Sequence, residues 1–262
     1  MKVRNSKMWL VVVVTLVAGS VLATGCSGGG SLAIGGSTTV QPLSEAWADE
    51  YMEMNPDVEV SVQGGGSSAG VKGAVEGTLD IGAASRALKP EEEEIQDIMV
   101  HRVAADGVAV VVHPSRDIDD LTLAEVAEIY AAGNNDDWTV VNREEGSGTR
   151  EVFETIVMDG VEVGARAEFL PSNGACKEKV ASTENAIGYI SLGYVDDSVK
   201  PVTIDGVEVS EENVANGSYP VMRFLIYITM GEPEGLGADF IDYALSSEGQ
   251  SIVAEEGYIP LS

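Results

Sequence analysis

Short apolar runs and period-two segments alternate along the chain with segments of helical period, a pattern that predicts an α/β architecture. Leu32–Gly35 is a short apolar run. Pro42 opens a stretch that sets Leu43, Ala46, Trp47, Tyr51 and Met54 on one side, which predicts an amphipathic helix stopped at Asn55-Pro56. Val58, Val60 and Val62 alternate with polar residues as a strand does. A Gly/Ser loop leads into a helix from about Ala69 to Glu76, followed by the run Leu79–Gly82. Val108–Val112 is apolar throughout, as expected of a strand buried on both faces.

The second half repeats the style without a repeat of sequence. Thr122-Leu-Ala-Glu125 is a capping box that opens a helix closed by Gly133. Trp138–Asn142 predicts a strand, and after another Gly/Ser loop a helix is expected from about Thr149 to Met158. A helix near Ala175–Ser182 precedes a strand at Ala186–Ser191. Val199–Val209 predicts a hairpin turned at Asp205-Gly206. Val221–Met230 is a second long apolar run, and helices follow around Phe240–Leu245 and Gln250–Glu255. The runs 108–112 and 221–230 bracket a block of domain size, which leaves the last helices to pack back on the first part. The organisation expected is therefore two lobes joined by two crossings, residues 32–110 with 222–262 and residues 111–221.

The first residues belong to targeting. Lys2, Arg4 and Lys7 precede an apolar stretch, Met8–Ala18, broken only by Thr15, and small residues lead to Ala23-Thr24-Gly25-Cys26. Residues 1–25 predict a secretory signal, too short for a spanning helix. A Cys after small residues resembles a lipoprotein signal box, although Leu22 stands one place further upstream than in the usual bacterial pattern. The expectation is a lipid on Cys26 and a flexible tether over 26–31; an uncleaved anchor and plain secretory cleavage are the alternatives. Cys176 is the only other cysteine, so no disulfide framework exists.

Charge narrows the function classes. The chain has 15 Lys+Arg against 43 Asp+Glu, a net charge of −28. Nucleic acid and anionic membrane surfaces are excluded as partners, because they require a basic footprint. The acids are scattered and read as a solvated coat; Glu91–Glu94 read as an exposed first helical turn after Pro90. Two His and one unlipidated Cys predict no metal site. No cofactor is expected.

The candidate chemistry lies in three loops with one layout: strand, small polar residues, helix. They are Gly35-Gly-Ser37-Thr38-Thr39-Val40, Gly64-Gly-Gly-Ser67-Ser68-Ala-Gly70 and Arg143-Glu-Glu-Gly146-Ser147-Gly148-Thr149. Helix starts carry orphan amides and roughly +0.5 charge, which favour an anion. One such loop is an ordinary capped turn. Three, with Arg143 beside the third, point to a tetrahedral oxyanion, for which a guanidinium offers a planar fork. Arg143 could instead pair on the surface with Glu144 or Glu145, or be held by Glu145 for the ligand.

These motifs resemble the phosphate-binding component of the high-affinity phosphate ABC importer, over essentially the whole mature chain. The resemblance rests on Gly36-Ser-Thr-Thr-Val40, the Gly/Ser loop with Gly-Val-Lys at 64–72, Asp80-Ile-Gly-Ala-Ala-Ser-Arg86, and Arg143-x-x-Gly-Ser-Gly-Thr149. Ala186-Ile-Gly-Tyr-Ile190 and the tail Gly249-Gln250…Gly257-Tyr258-x-Pro260 add to it. It implies a two-lobed periplasmic-binding-protein fold, type II-like, with the ligand in the cleft between lobes. It further implies phosphate contacts from Thr39 with Ser37 and Thr38, a backbone amide near Val40, Ser67, Arg143, Ser147, Gly148 and Thr149, and a role for Ser85. Some family members carry Asp where Ser85 stands, and that carboxylate accepts the proton of hydrogen phosphate. Ser85 can donate or accept, so sulfate is not excluded by the same means; Asp80 or Glu145 could supply an acceptor, and Arg86 could pair with an acid instead of the ligand. The function implied is a monomeric, lipid-anchored receptor on the outer face of the cytoplasmic membrane that hands phosphate to permease subunits, and not an enzyme.

Three other readings compete. A sulfate, molybdate or tungstate receptor would use the same architecture. A signalling or adhesion lipoprotein would keep the cleft as a vestige. A serine hydrolase could use Gly66-Ser67-Ser68-Ala69-Gly70, which matches G-x-S-x-G, but only His101 and His113 could serve it.

Overall fold

The computed structural model describes residues 29–261, so the signal, Cys26 and the start of the tether lie outside the described residues. The first part lays down β1 (Ser31–Gly36), α1 (Gln41–Met54), β2 (Glu59–Gly64), α2 (Ser67–Val75) and β3 (Ile81–Ala84), with β1 parallel to both other strands. A short α3 (Pro90–Glu93) leads to β4 (Ile98–Val112). The middle block holds β5 (Asp120–Leu121), α4 (Leu123–Ala132), β6 (Thr139–Arg143), α5 (Gly148–Phe153), β7 (Glu168–Leu170), α6 (Asn173–Ala181) and β8 (Ala186–Ser191). It ends with β9 (Lys200–Pro201), β10 (Thr203–Ile204) and α7 (Glu211–Ala215). The chain then returns through β11 (Met222–Met230) to α8 (Gly235–Leu245) and α9 (Ser247–Glu255).

One sheet runs through the molecule in the order β2-β1-β3-β11-β4-β8-β6-β7, with β9 beside β4. β4 is the axis of the fold. Its Ile98–Gly107 half pairs antiparallel with β11, and its Val108–Val112 half pairs antiparallel with β8. The change of partner coincides with a change of core. Leu32, Ile34, Trp47, Ile81, Leu225 and Phe240 belong to one apolar cluster, and Val108–Val112, Val141, Phe153, Ile187 and Tyr189 to another. The architecture is the two-lobed α/β fold that the motifs implied.

Local chemistry explains the elements beside the cleft. α1 begins with Pro42 in its first turn, where its missing N–H costs nothing, and buries Leu43, Ser44, Trp47, Ala48 and Tyr51. The Trp47 indole donates to the Gly249 carbonyl at 2.8 Å and meets Tyr227 edge-on, which fastens the C-terminal helices to the first lobe. Thr122 and Glu125 form the expected capping box on α4.

Four expectations need correction. The apolar run 108–112 is only the second half of a 15-residue strand. The helix after Thr149 is α-helical to Phe153, then continues as a wider π turn over Glu154–Met158. Residues 199–209 form no extended hairpin: Asp205 and Gly206 do turn the chain, but only Ile204 and Val207 bridge, while β9 pairs with β4 and β10 with β5. Of the acidic run, Glu92 is not merely solvated; it binds Arg86 through both carboxylate oxygens at 2.6 and 2.8 Å.

Candidate functional site

The three polar loops converge where the lobes meet. The β1–α1 loop brings Ser37, Thr38 and Thr39, the start of α2 brings Ser67, the end of β3 brings Ser85, and the β6–α5 loop brings Arg143, Ser147, Gly148 and Thr149. All nine are buried. Polar contacts join the two sides. Thr39 and Thr149 hydroxyls lie 3.1 Å apart, the Ser68 amide donates to the Gly146 carbonyl at 3.1 Å, and the Tyr194 hydroxyl donates to the Thr38 carbonyl at 2.7 Å. Gly146 takes a positive φ of 86°, which lets its carbonyl face α2. Gly148 is required by proximity: a Cβ there would sit 2.2 Å from Ser67 Oγ and 2.8 Å from Ser85 Oγ.

Arg143 ends β6 and is 1% exposed. It makes no surface pair, and the expected support from Glu145 does not appear; Nε and Nη2 instead donate to the carbonyls of Leu170 and Pro171 at 3.3 and 3.2 Å. Nη2 also donates to Thr38 Oγ1 at 3.1 Å, while Nη1, though buried, meets no acceptor among the described residues. Burial lowers the pKa of Arg143, and the Arg223 guanidinium nearby lowers it further. A guanidinium nevertheless stays charged in proteins.

Arg223 and Asp106 were not read as site residues. They are paired neighbours on the central strands β11 and β4. Arg223 donates through Nε and Nη2 to Asp106 Oδ2 at 2.9 and 2.7 Å, through Nη2 to Thr39 Oγ1 at 3.1 Å, and through Nη1 to the Ser85 carbonyl and hydroxyl at 3.2 and 3.3 Å. Asp106 Oδ1 accepts from the Ser191 hydroxyl and the Leu192 amide at 2.8 and 3.2 Å. Burial pushes the Asp106 carboxyl up, but donors on both its oxygens, one a guanidinium, hold it as a carboxylate. Arg143, Arg223 and Asp106 together leave one net positive charge buried at the lobe interface, a site suited to an anion.

Asn173, at the start of α6, is the other unforeseen member. Its Nδ2 donates to Thr39 Oγ1 at 2.9 Å and its Oδ1 accepts from the Ser191 amide at 3.2 Å. A signal for the pair existed: Asp106 and Arg223 are opposite charges set beside or inside apolar runs, where each needs a partner. Nothing in the sequence marked Asn173, which looks like part of a Ser172-capped helix start.

The remaining candidates sort clearly. The Val40 amide donates to the Ser37 carbonyl at 3.1 Å, and the Ser37 hydroxyl donates to Ser85 Oγ at 2.9 Å while accepting from the Thr39 amide. Arg86 pairs with Glu92 and, across the cleft, with Glu151 at 3.0 Å; burial works against its charge, but these acids raise its pKa on balance. Asp80 accepts from the Ala33 amide at 2.8 Å and takes no part. The hydrolase reading finds no base. Ser68 Oγ accepts from Arg86 Nη2 at 3.2 Å, whereas His101 and His113 bond Thr229 and Ser115. Cys176 is buried against the Asn142 carbonyl, its thiol pushed up to about 12 by burial, which leaves it inert.

Comparison with known proteins agrees with this geometry. Residues 23–248 match the family model described as a PBP superfamily domain. A phosphate-binding protein PstS of Bacillus subtilis is 38% identical over 89% of this chain and 81% of its own length. The chain belongs to the PstS family. Among solved structures, a putative phosphate ABC transporter substrate-binding protein from Clostridium perfringens, with bound phosphate, superposes with a TM-score of 0.84 at 41% identity, covering 88% of this chain and all of that one. An ABC-type phosphate transport receptor from Vibrio cholerae gives a TM-score of 0.72 at 30% identity over 87% of this chain and 99% of its own. Members of this family so described are binding receptors rather than enzymes. Among the described residues no helix is long and apolar enough to cross a membrane, and no cluster of His, Cys, Asp and Glu could hold a metal.

Proposed function

We propose that this chain is an extracytoplasmic receptor that binds inorganic phosphate and delivers it to the permease of an ABC importer. The reading is carried by one observation: a buried cluster drawn from both lobes holds a net positive charge and a guanidinium nitrogen, Arg143 Nη1, that meets no acceptor among the described residues. Phosphate supplies what the cluster lacks. Its oxygens accept from Arg143, from the hydroxyls of Thr39, Ser67, Ser147 and Thr149, and from the Gly148 and Thr149 amides, which have no intrahelical partner in the first turn of α5. Thr38 and Ser37 act from behind, orienting Arg143 and Ser85. The lobes, which part within β4 between Gly107 and Val108, close on the anion because it bridges donors of both, and an open form releases it.

The relatives named above as phosphate-binding and phosphate-transport proteins support the substrate. We assign the anchor to a lipid on Cys26, with 26–31 as tether, and the mature receptor to the monomeric state. Equilibrium dialysis of the purified mature protein with radiolabelled phosphate tests the reading. Saturable binding at one site per chain is expected, and no retention of label sinks it. Release of a Cys26→Ala chain into the medium, with the parent chain in the membrane fraction, tests the anchor.

A further inference from the structure

The lobes also meet outside the polar cluster, through charges at its rim. Arg86 directly follows Ser85 and is 2% exposed. Its guanidinium is fixed within the first lobe: Nη1 and Nη2 donate to Glu92 at 2.6 and 2.8 Å, Nη1 to the Ala87 carbonyl at 2.8 Å, and Nη2 to Ser68 Oγ at 3.2 Å. Glu92 is held in turn by the Lys89 amide at 2.8 Å. One edge of the fork is left over. Nε is buried and finds no aligned hydrogen-bond acceptor among the described residues, but it lies 3.0 Å from Glu151 Oε2 on α5 of the second lobe. Lys89 Nζ approaches the same oxygen at 3.5 Å. The neighbouring ion pairs stay within one lobe, Arg150 with Glu154 and Arg86 with Glu92.

On the reading that this site binds phosphate, we propose that Glu151 is a positioning residue, which latches α5 onto Arg86 and so retains the anion without touching it. Glu151 stands two residues after Thr149 on the same helix, and Arg86 one residue after Ser85. Latch and ligand contacts therefore share two rigid segments. Seating Glu151 on Arg86 carries the Ser147-Gly148-Thr149 turn against the first lobe. Because Glu92 and Arg86 belong to one lobe, the guanidinium is already oriented when Glu151 arrives, and little ordering is lost on pairing. At 3.0 Å the two charges stand well inside the Debye length at physiological salt, about 8 Å, so salt weakens the pair little. Two effects of the carboxylate oppose each other. Its charge repels an incoming anion, whereas its hold on Arg86 retains one already enclosed. Arg86 and Lys89 face that charge at contact distance and offset the repulsion. The hold acts through the population of the closed form, which multiplies the affinity directly. The latch wins.

Calorimetric titration of the mature protein with phosphate, joined to stopped-flow measurement of both rate constants, tests the latch. Glu151→Gln removes the charge. Glu151→Asp keeps the charge but draws the carboxylate back by one methylene, out of reach of Arg86. Both variants are expected to bind phosphate about three- to tenfold more weakly. The whole loss should lie in faster dissociation, with association within about twofold of the parent. The Glu151 side chain is 36% exposed, so the ligand-free melting temperature should stay within about 3 °C of the parent. Dissociation unchanged in either variant overturns the latch: a response to Gln alone would assign the effect to charge and not to reach. A faster association that tightens binding overturns it as well, since repulsion would then dominate, and so does a larger fall in melting temperature, which would make the effect one of fold. Each of these results leaves phosphate recognition standing. A parent chain that binds no phosphate removes both.

Discussion

Two residues make the sharpest test of the site. Gly148 has no room for a methyl group, because the atoms it would strike, Ser67 Oγ and Ser85 Oγ, belong to the opposite lobe. Gly148→Ala should therefore leave each lobe folded but prevent their full approach. Phosphate affinity is expected to drop at least about a hundredfold while the melting temperature of the ligand-free protein moves little; tight binding by this variant would mean that the closed arrangement is not the binding one. Arg143→Ala removes the buried fork instead of the fit and should weaken binding well over tenfold in the same calorimetric measurement. Arg143 and the Gly-Ser-Gly-Thr loop were legible in the sequence because their chemistry is local: an Arg, a turn and a helix start lie within seven residues. Asn173 was not, and Asp106 and Arg223 offered only the hint of opposite charges beside or inside apolar runs, since their meeting arises only when β4, α6 and β11 come together.

Among the elements, β4 shows where pattern reading stops. Its Val108–Val112 half is buried on both faces and apolar throughout, so periodicity finds it. Its first half, Ile98–Asp106, carries His101, Arg102 and a buried aspartate, and hydropathy alone gives no strand there. The two apolar runs led to the expectation of two lobes, and the tail adds a tie that the expectation did not include. Ile259 exchanges both backbone hydrogen bonds with Ala105, at 2.8 and 3.0 Å, where β4 passes between the cores. Its side chain packs in the second core, whereas its neighbour Tyr258 packs in the first and donates to the Thr39 carbonyl at 2.8 Å. The C-terminus thus spans the same junction as β4 and β11. Ile259→Ala should cost about 2–4 kcal/mol in denaturant unfolding, more than an exposed tail residue could. A change below about 0.5 kcal/mol would show the tail to be a loose end. Beside the same cleft, Arg86 bonds Glu92, whose carboxyl burial would raise but whose bonds to Arg86 and the Lys89 amide hold below the usual range. A lowered carboxyl adds stability above its unfolded pKa and loses it as pH falls through the folded value. Glu92→Gln should consequently flatten the loss of stability in the acid range, measured by thermal melts from about pH 6 down to about pH 3.

At the scale of the whole molecule, a net charge of −28 surrounds a site for an anion, and the two facts act at different ranges. The scattered carboxylates repel an approaching phosphate over tens of ångströms at low salt, where the Debye length is about 30 Å, but hardly at all near 1 M, where it is about 3 Å. On the proposed reading, a ligand inside the cleft would meet Arg143, amides and hydroxyls at contact distance, in a buried cluster where mobile ions screen little. Salt should therefore act on the two rate constants unequally. The association rate constant is expected to rise as sodium chloride increases from about 0.01 M to about 0.5 M, because repulsion of the encounter is screened. The dissociation rate constant should stay within about twofold, since contacts in the closed site set it. The same screening relieves self-repulsion of the acidic coat, so the ligand-free melting temperature should climb over the same range. Stopped-flow kinetics with a fluorescent reporter at the cleft separate the two constants. An association rate that fell with salt would reveal a local basic funnel strong enough to outweigh the coat, and the near field of Arg143 and Arg223 would then extend beyond the buried cluster.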